Sequence, residues 1–144
     1  MDAIDISRSG LDVEWRRMEV IALNLANANT SRTADGSTYV PLRLVSGPVE
    51  NFDQALAKAG EHPTTQPQGV RVYSIEPTNA GVRHVYDPAN PQADANGFVA
   101  FPNISNADEM TLMVQTSRAY EANLVAMAAA QQMYSSALQI GGKS

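Results

Sequence analysis

The sequence contains no cysteine among its 144 residues. That removes disulfides, thiolate nucleophiles and Cys-based zinc sites, and leaves a fold indifferent to the redox compartment. Long apolar runs are missing as well. The longest, Leu124 to Ala130, is mostly alanine, whereas a membrane-spanning helix needs about 20 apolar residues. Positive charge is scarce: 10 Lys and Arg stand against 15 Asp and Glu, for a net charge of -5, so the basic footprint of a nucleic-acid partner is lacking. The first residues include Asp2 and Asp5 and alternate polar positions with Ile4, Ile6 and Leu11, unlike the basic start and apolar block of a secretory signal. A destination outside the cytoplasm would then need another route. A hydrophobic fraction of 44% and a charged fraction of 17% exclude pervasive disorder. The length suits one ordinary domain, or a small domain with helical arms.

Proline is absent from both ends: Pro41, Pro48, Pro63, Pro67, Pro77, Pro88, Pro91 and Pro102 all fall in the middle. An interior proline costs a helix about 3 kcal/mol or more, so the chain reads as two uninterrupted helices flanking a region of strands and turns, an α+β plan. In the first segment Ile4, Leu11, Met18 and Leu25 recur every seven residues, with Trp15 and Ala22 four residues after Leu11 and Met18. This is a heptad stripe, and it should end near Asn27 or Asn29, since asparagine tolerates the left-handed conformation that closes helices. In the last segment Met110, Met113, Ser117, Tyr120, Leu124, Met127, Gln131, Tyr134 and Leu138 follow at alternating spacings of three and four. Asn106 with Glu109 three residues later forms a candidate cap, and Gly141-Gly142 a candidate stop.

Between the helices, Thr38–Val45, Gly69–Glu76, Val82–Tyr86 and Gly97–Phe101 are short β-branched or aromatic runs separated by Gly, Pro, Asn and Asp, the pattern of a small antiparallel β unit. Residues 51–59 could add two helical turns, and 60–68 reads as a polar loop. The expected division is an N-terminal core helix over 1–30, a β-rich middle or outer domain over 31–105, and a C-terminal core helix over 106–144.

A stripe two positions wide per heptad covers less than the broad face of a helix lying on a globular core. Burying a Leu or Met contributes about 1.5–3 kcal/mol and ordering each backbone residue costs about 1–2 kcal/mol, so an isolated helix pair is marginal. Such helices order fully against further helices. An intramolecular hairpin capped by the β unit is the plainer alternative.

Ser9-Gly10-Leu11 followed by Asn24-Leu25-Ala26-Asn27-Ala28-Asn29-Thr30 resembles the N-terminal signature of the bacterial flagellar rod and hook axial proteins. Residues 85–104, containing Asp87, Pro88, Gly97, Pro102 and Asn103, lead to Glu109-Met110, Ser117-Arg118-Ala119-Tyr120-Glu121-Ala122-Asn123 and the closing Gly141. In this order they are similar to the proximal-rod members of that family. The resemblance implies a non-enzymatic structural subunit whose terminal helices pack into a coiled-coil-like core, with no cofactor, no metal and no small-molecule substrate. It implies self-assembly, contacts with other rod proteins, the inner-membrane ring and the rod-junction protein, and delivery by the flagellar export apparatus without a cleaved signal. The destination it implies is the periplasm-spanning rod, which transmits torque. The candidate packing residues are Ile4, Leu11, Trp15, Met18, Leu25, Met110, Met113, Tyr120, Leu124, Met127, Tyr134 and Leu138. Gln131-Gln132 and Ser135-Ser136 stand where the family pattern suggests more basic character.

Other chemistry is weaker. Asp94-Ala95-Asn96-Gly97 looks like part of a calcium loop, but Gln92 and Asn103 occupy its first and twelfth positions. Asp87-Pro88-Ala89-Asn90-Pro91 reads instead as a rigid turn. His62 and His84, 22 residues apart, have no cysteine to complete a metal site, and the scattered Glu50, Asp53, Glu76 and Asp87 cannot be paired for glycan hydrolysis from sequence alone. A helical-hairpin adaptor or export chaperone, or another axial protein of the same family, remains an alternative.

Overall fold

Proline-free and rich in helix formers, the N-terminal segment forms α1, Ala3–Asn27. The computed structural model describes residues 3–31, 36–49, 56 and 68–141. The expected helix over 51–59 and loop over 60–68, with His62, lie outside the described residues except for Leu56 and Gln68, as does Gly142. At the end of α1 the Asn27 side-chain amide donates to the Leu23 carbonyl at 2.8 Å, and the Thr30 N–H donates to the Asn27 carbonyl at 3.0 Å. The second bond occupies a carbonyl that a terminating helix would leave unpaired.

The C-terminal segment forms α2, Asn106–Gly141. Its cap differs from the expected one. Ser105 stands at the N-cap, its carbonyl accepting from Glu109 N–H at 3.0 Å and its hydroxyl from Asp108 N–H at 3.3 Å. Glu109 is unavailable for capping because its carboxylate turns inward, where only 2% of the residue is exposed. Asp108 takes the acidic place in the first turn, complementing the helix dipole.

Four strands lie between the helices: β1 (Leu42–Pro48), β2 (Val70–Pro77), β3 (Val82–Tyr86) and β4 (Phe98–Pro102). They pair antiparallel as two separate ribbons, β1 with β2 and β3 with β4. The first strand begins later than its β-branched run suggests, since Pro41 has no N–H to give a ladder. The register of β1–β2 shifts between Val45 and Ser46, a bulge that bends the ribbon. Tyr73 lies across Gly47, where a Cβ would come within 2.7 Å of the ring, and its hydroxyl donates to the Pro48 carbonyl at 2.6 Å. In the second ribbon Tyr86 meets Phe98 edge-on, ring centroids 5.3 Å apart.

The two helices run antiparallel against each other, and the β1–β2 ribbon packs on a second face of α1. Val13 and Val20 of α1 and Leu44 of β1 form the buried cluster, with Leu42 and Val72 packed against it. The buried surface of α1 is therefore broader than the heptad stripe predicts: Gly10, Leu11, Val13, Val20, Ile21 and Asn24 are all buried. One side serves α2 and the other serves the ribbon.

Candidate functional site

The pairing of α1 with α2 is built from three contacts in antiparallel order. Near the start of α1, Gly10 faces Asn123, whose side-chain amide donates to the Ala119 carbonyl at 3.0 Å. In the middle, Trp15 and Tyr120 lie with ring centroids 6.4 Å apart, tilted by 52°. Near the end of α1, the Asn24 amide donates to Glu109 Oε2 at 3.2 Å.

That last contact is the centre of a buried polar cluster. Asn24 is 0% exposed. Its Oδ1 accepts from the Leu42 N–H at 2.9 Å and from the Tyr39 hydroxyl at 3.0 Å, while its Nδ2 also donates to the Leu42 carbonyl at 2.9 Å. The side-chain amide thus pairs with both backbone groups of Leu42, as a neighbouring strand would. Glu109 Oε1 accepts from Arg43, whose other terminal nitrogen donates to the Leu42 carbonyl at 3.0 Å. Burial pushes the Tyr39 phenol above its ordinary pKa, the Glu109 carboxylate adds to the shift, and Arg43 opposes it. Every polar atom in this cluster that is cut off from water has a partner, the condition for tolerating such groups in a core.

Ser9 fastens the ribbon at its other end, its hydroxyl donating to the Ile6 carbonyl at 2.7 Å and accepting from Val70 N–H at 3.1 Å. Gly69, at φ +82°, approaches so closely that a Cβ would sit 2.4 Å from Ser9 Oγ. The loop between β3 and β4 is braced internally. Asp94 accepts from Asn96 N–H at 2.8 Å and Phe98 N–H at 2.9 Å, around Gly97 at φ +84°. These backbone bonds, that from Phe98 foremost, hold the Asp94 carboxyl below its ordinary pKa. Asp87 accepts from Asn90 through its carbonyl at 3.2 Å, and the Asn90 side chain accepts from Gln92 N–H at 3.0 Å. Ser31, beyond α1, bonds Gln92 in the same loop. Asn103 donates to the Ala80 carbonyl at 2.9 Å, and Pro102 is buried.

The candidate packing residues divide into two sets. Leu11 is buried, and Ile4, Met18, Leu25, Met113, Tyr120 and Met127 are half-buried. Trp15, Met110, Leu124, Tyr134 and Leu138 are exposed. Beyond Ala130 the helix leaves α1 behind: every residue from Gln131 to Gly141 is exposed, a rod of about 16 Å at 1.5 Å per residue. No charged side chain occurs from Ala122 to Gly141, and exposed Val125, Met133 and Ile140 add to the apolar surface. A cleft of about 490 Å³ contains Asp108 and Glu109, but both oxygens of Glu109 are committed to Asn24 and Arg43.

Two stretches match sequence models of known families. Residues 4–32 match the model described as flagella basal body rod protein, and residues 95–140 match that of the flagellar basal body rod FlgEFG protein C-terminal region. Along the whole chain, the flagellar basal-body rod protein FlgC of Borreliella burgdorferi is 37% identical, with 96% of this chain and 95% of that protein aligned. The chain belongs to the FlgC family of flagellar basal-body rod proteins. FlgC of Bacillus subtilis is 35% identical, covering 96% of each chain, and FlgC of Salmonella typhimurium is 32% identical, covering 98% of this chain and 97% of the other.

In this FlgC-family chain the two matched stretches meet each other. Gly10 and Asn24 come from the first, and Asn123 and Glu109 from the second. Ala26 and Asn29 are exposed and Thr30 half-buried just where α1 ends; on α2, Ser117 is half-buried while Arg118 and Glu121 are exposed. The sequence pattern singled out Asn24 without giving it a role and cast Glu109 as part of the helix cap, and it missed Tyr39 and Arg43. The available signal was a polar residue on the buried side of an amphipathic helix. Its partner is 85 positions away.

Proposed function

We propose that this chain is a structural, non-catalytic subunit of the basal-body rod, and that its packed helices transmit torque across the periplasm. It assembles with copies of itself and with other axial proteins by covering the apolar residues that α2 leaves in water. The terminal helices, 1–30 and 106–144, form the assembly core, and 31–105 lies outward with β1–β2 fastened to α1. Docking to the inner-membrane ring and rod junction, and delivery through the flagellar export apparatus, follow from the same reading.

The observation that carries the proposal is the uncharged, uncovered end of α2. Large apolar side chains such as Met133, Tyr134, Leu138 and Ile140 left in water along an uncharged helix end mark a surface suited to covering by neighbours. Each Leu or Met side chain covered by a neighbour contributes about 1.5–3 kcal/mol. A few such contacts per copy, repeated along a polymer, give a stiff shaft.

Leu124→Asp tests this. Leu124 is 45% exposed in the subunit, so the fold should tolerate the change while an interface should not. The expected result is export at ordinary levels, no rod in isolated basal bodies and no swimming. Normal swimming with this variant refutes the packing assignment.

A further inference from the structure

A polar cluster at the junction of α1, β1 and α2 is not explained by stability. Asn24 and Glu109 are buried where apolar side chains would ordinarily sit, and taking a carboxylate out of water costs several kcal/mol. Replacing a buried ionic cluster by apolar residues of similar volume is often neutral or stabilising. What the cluster has that an apolar patch lacks is a single geometry that satisfies it. Glu109 gives one oxygen to Asn24 of α1 and the other to Arg43 of β1, and Asn24 is itself tied to both backbone groups of Leu42. Sliding α2 by one turn, about 5.4 Å, breaks these interhelical bonds and leaves Asn24 short of a partner.

Apart from the Trp15–Tyr120 ring pair and the Gly10–Asn123 contact, the helix interface carries little information of that kind. From Ala122 onward α2 is uncharged and dense in alanine, with Ala122, Ala126, Ala128, Ala129, Ala130 and Ala137. Its only buried residues are Glu109 and Thr116. Small side chains spread around a helix permit close approach in several registers. Opposite Gly10, a slipped helix would present Ala119 or Met127 in place of Asn123, with no charge to repel it.

We infer that Asn24, Arg43 and Glu109 form a register lock, which sets the height of α2 on α1 and hence how much of α2 projects beyond it. The lock does not depend on the rod reading; if that reading holds, the lock also fixes the length of helix offered to neighbours. A slip of one turn would lengthen or shorten the projection by about 5.4 Å, roughly a third of its length.

The absence of cysteine makes register directly measurable by disulfide formation in the purified full-length chain. Gly10→Cys with Asn123→Cys reports the observed register, since a Cβ on residue 10 would lie 2.8 Å from the Asn123 side chain and a disulfide requires Cβ atoms about 3.5–4.5 Å apart. Gly10→Cys with Ala119→Cys or with Met127→Cys reports slips of one turn, Asn123→Ala being included in both so that the thiol meets no clash. Three backgrounds are compared: the unaltered cluster, Glu109→Gln, and the triple variant Asn24→Leu, Arg43→Met, Glu109→Leu.

With the cluster intact, the 10/123 disulfide should exceed either slipped one by about tenfold or more, a preference of about 1.4 kcal/mol. Glu109→Gln retains the bond to Asn24 and should keep that preference. The triple variant should keep its helical signal and urea midpoint yet distribute its disulfides among all three pairs. A triple variant that still closes only 10/123 overturns the inference, because packing elsewhere then sets the register. So does a triple variant that unfolds or loses midpoint while Glu109→Gln does not, because the cluster then holds the fold together instead of choosing its register. Loss of preference in Glu109→Gln, or failure of 10/123 to form in the unaltered background, also overturns it.

Discussion

Gly10 of α1 and Asn123 of α2 touch so closely that a Cβ on the glycine would lie 2.8 Å from the asparagine Oδ1. Glycine inside a helix costs about 1 kcal/mol relative to alanine, and here the lost propensity is exchanged for close approach. Gly10→Val should lower stability by about 1–3 kcal/mol, the range for overpacking a filled site. Urea unfolding followed by fluorescence of Trp15, the one tryptophan in the chain, gives the value. Combining it with Asn123→Ala should recover part of the loss, and strict additivity of the two changes would deny the contact.

Glu109→Ala removes both acceptors from the cluster at once. Arg43 has a side chain 42% exposed and can rehydrate, whereas Asn24 at 0% exposure cannot. The expected loss is about 1–3 kcal/mol, that of a stranded buried donor, with the urea midpoint lowered. Glu109→Gln should lose less, since an amide oxygen still accepts from Asn24.

Asp94 organises the loop before β4 through its bonds from Asn96 and Phe98. Its folded carboxyl titrates below the ordinary value of 3.8, so its contribution is present above that value and is lost as pH falls through the lowered one. Amide-exchange protection of Asn96 and Phe98 should persist through neutral pH and disappear in strong acid. Asp94→Ala should lose protection at neutral pH as well, and an unchanged exchange pattern in that variant contradicts the assignment.

The proline-free ends and their periodicity were enough to read two long helices with a β-rich middle, because those signals are local. Asn27 as the end of α1 was legible for the same reason. Three features were not. Val13 and Val20 sit off the heptad stripe because the β1–β2 ribbon, contributed by residues more than 20 positions away, covers a second face of α1. Ser105 displaced Asn106 as the cap because Glu109 is drawn inward by Asn24 and Arg43. The strands paired as two ribbons rather than one unit, a choice that β-branched runs alone do not encode. The stripe on α2 did not say which of its residues the subunit covers: Met113, Tyr120 and Met127 are half-buried, and Tyr134 and Leu138 are exposed.

What holds the subunit together is separate from what joins it to neighbours, and Leu138→Asp measures that separation most directly. Leu138 is 61% exposed, on a stretch of α2, Gln131 to Gly141, whose residues are all exposed. The urea midpoint of the purified variant should match the unaltered chain within about 0.5 kcal/mol, the usual range for surface changes, while its incorporation into isolated basal bodies should be lost. Incorporation at the ordinary level, or unfolding of the isolated subunit, would contradict the account.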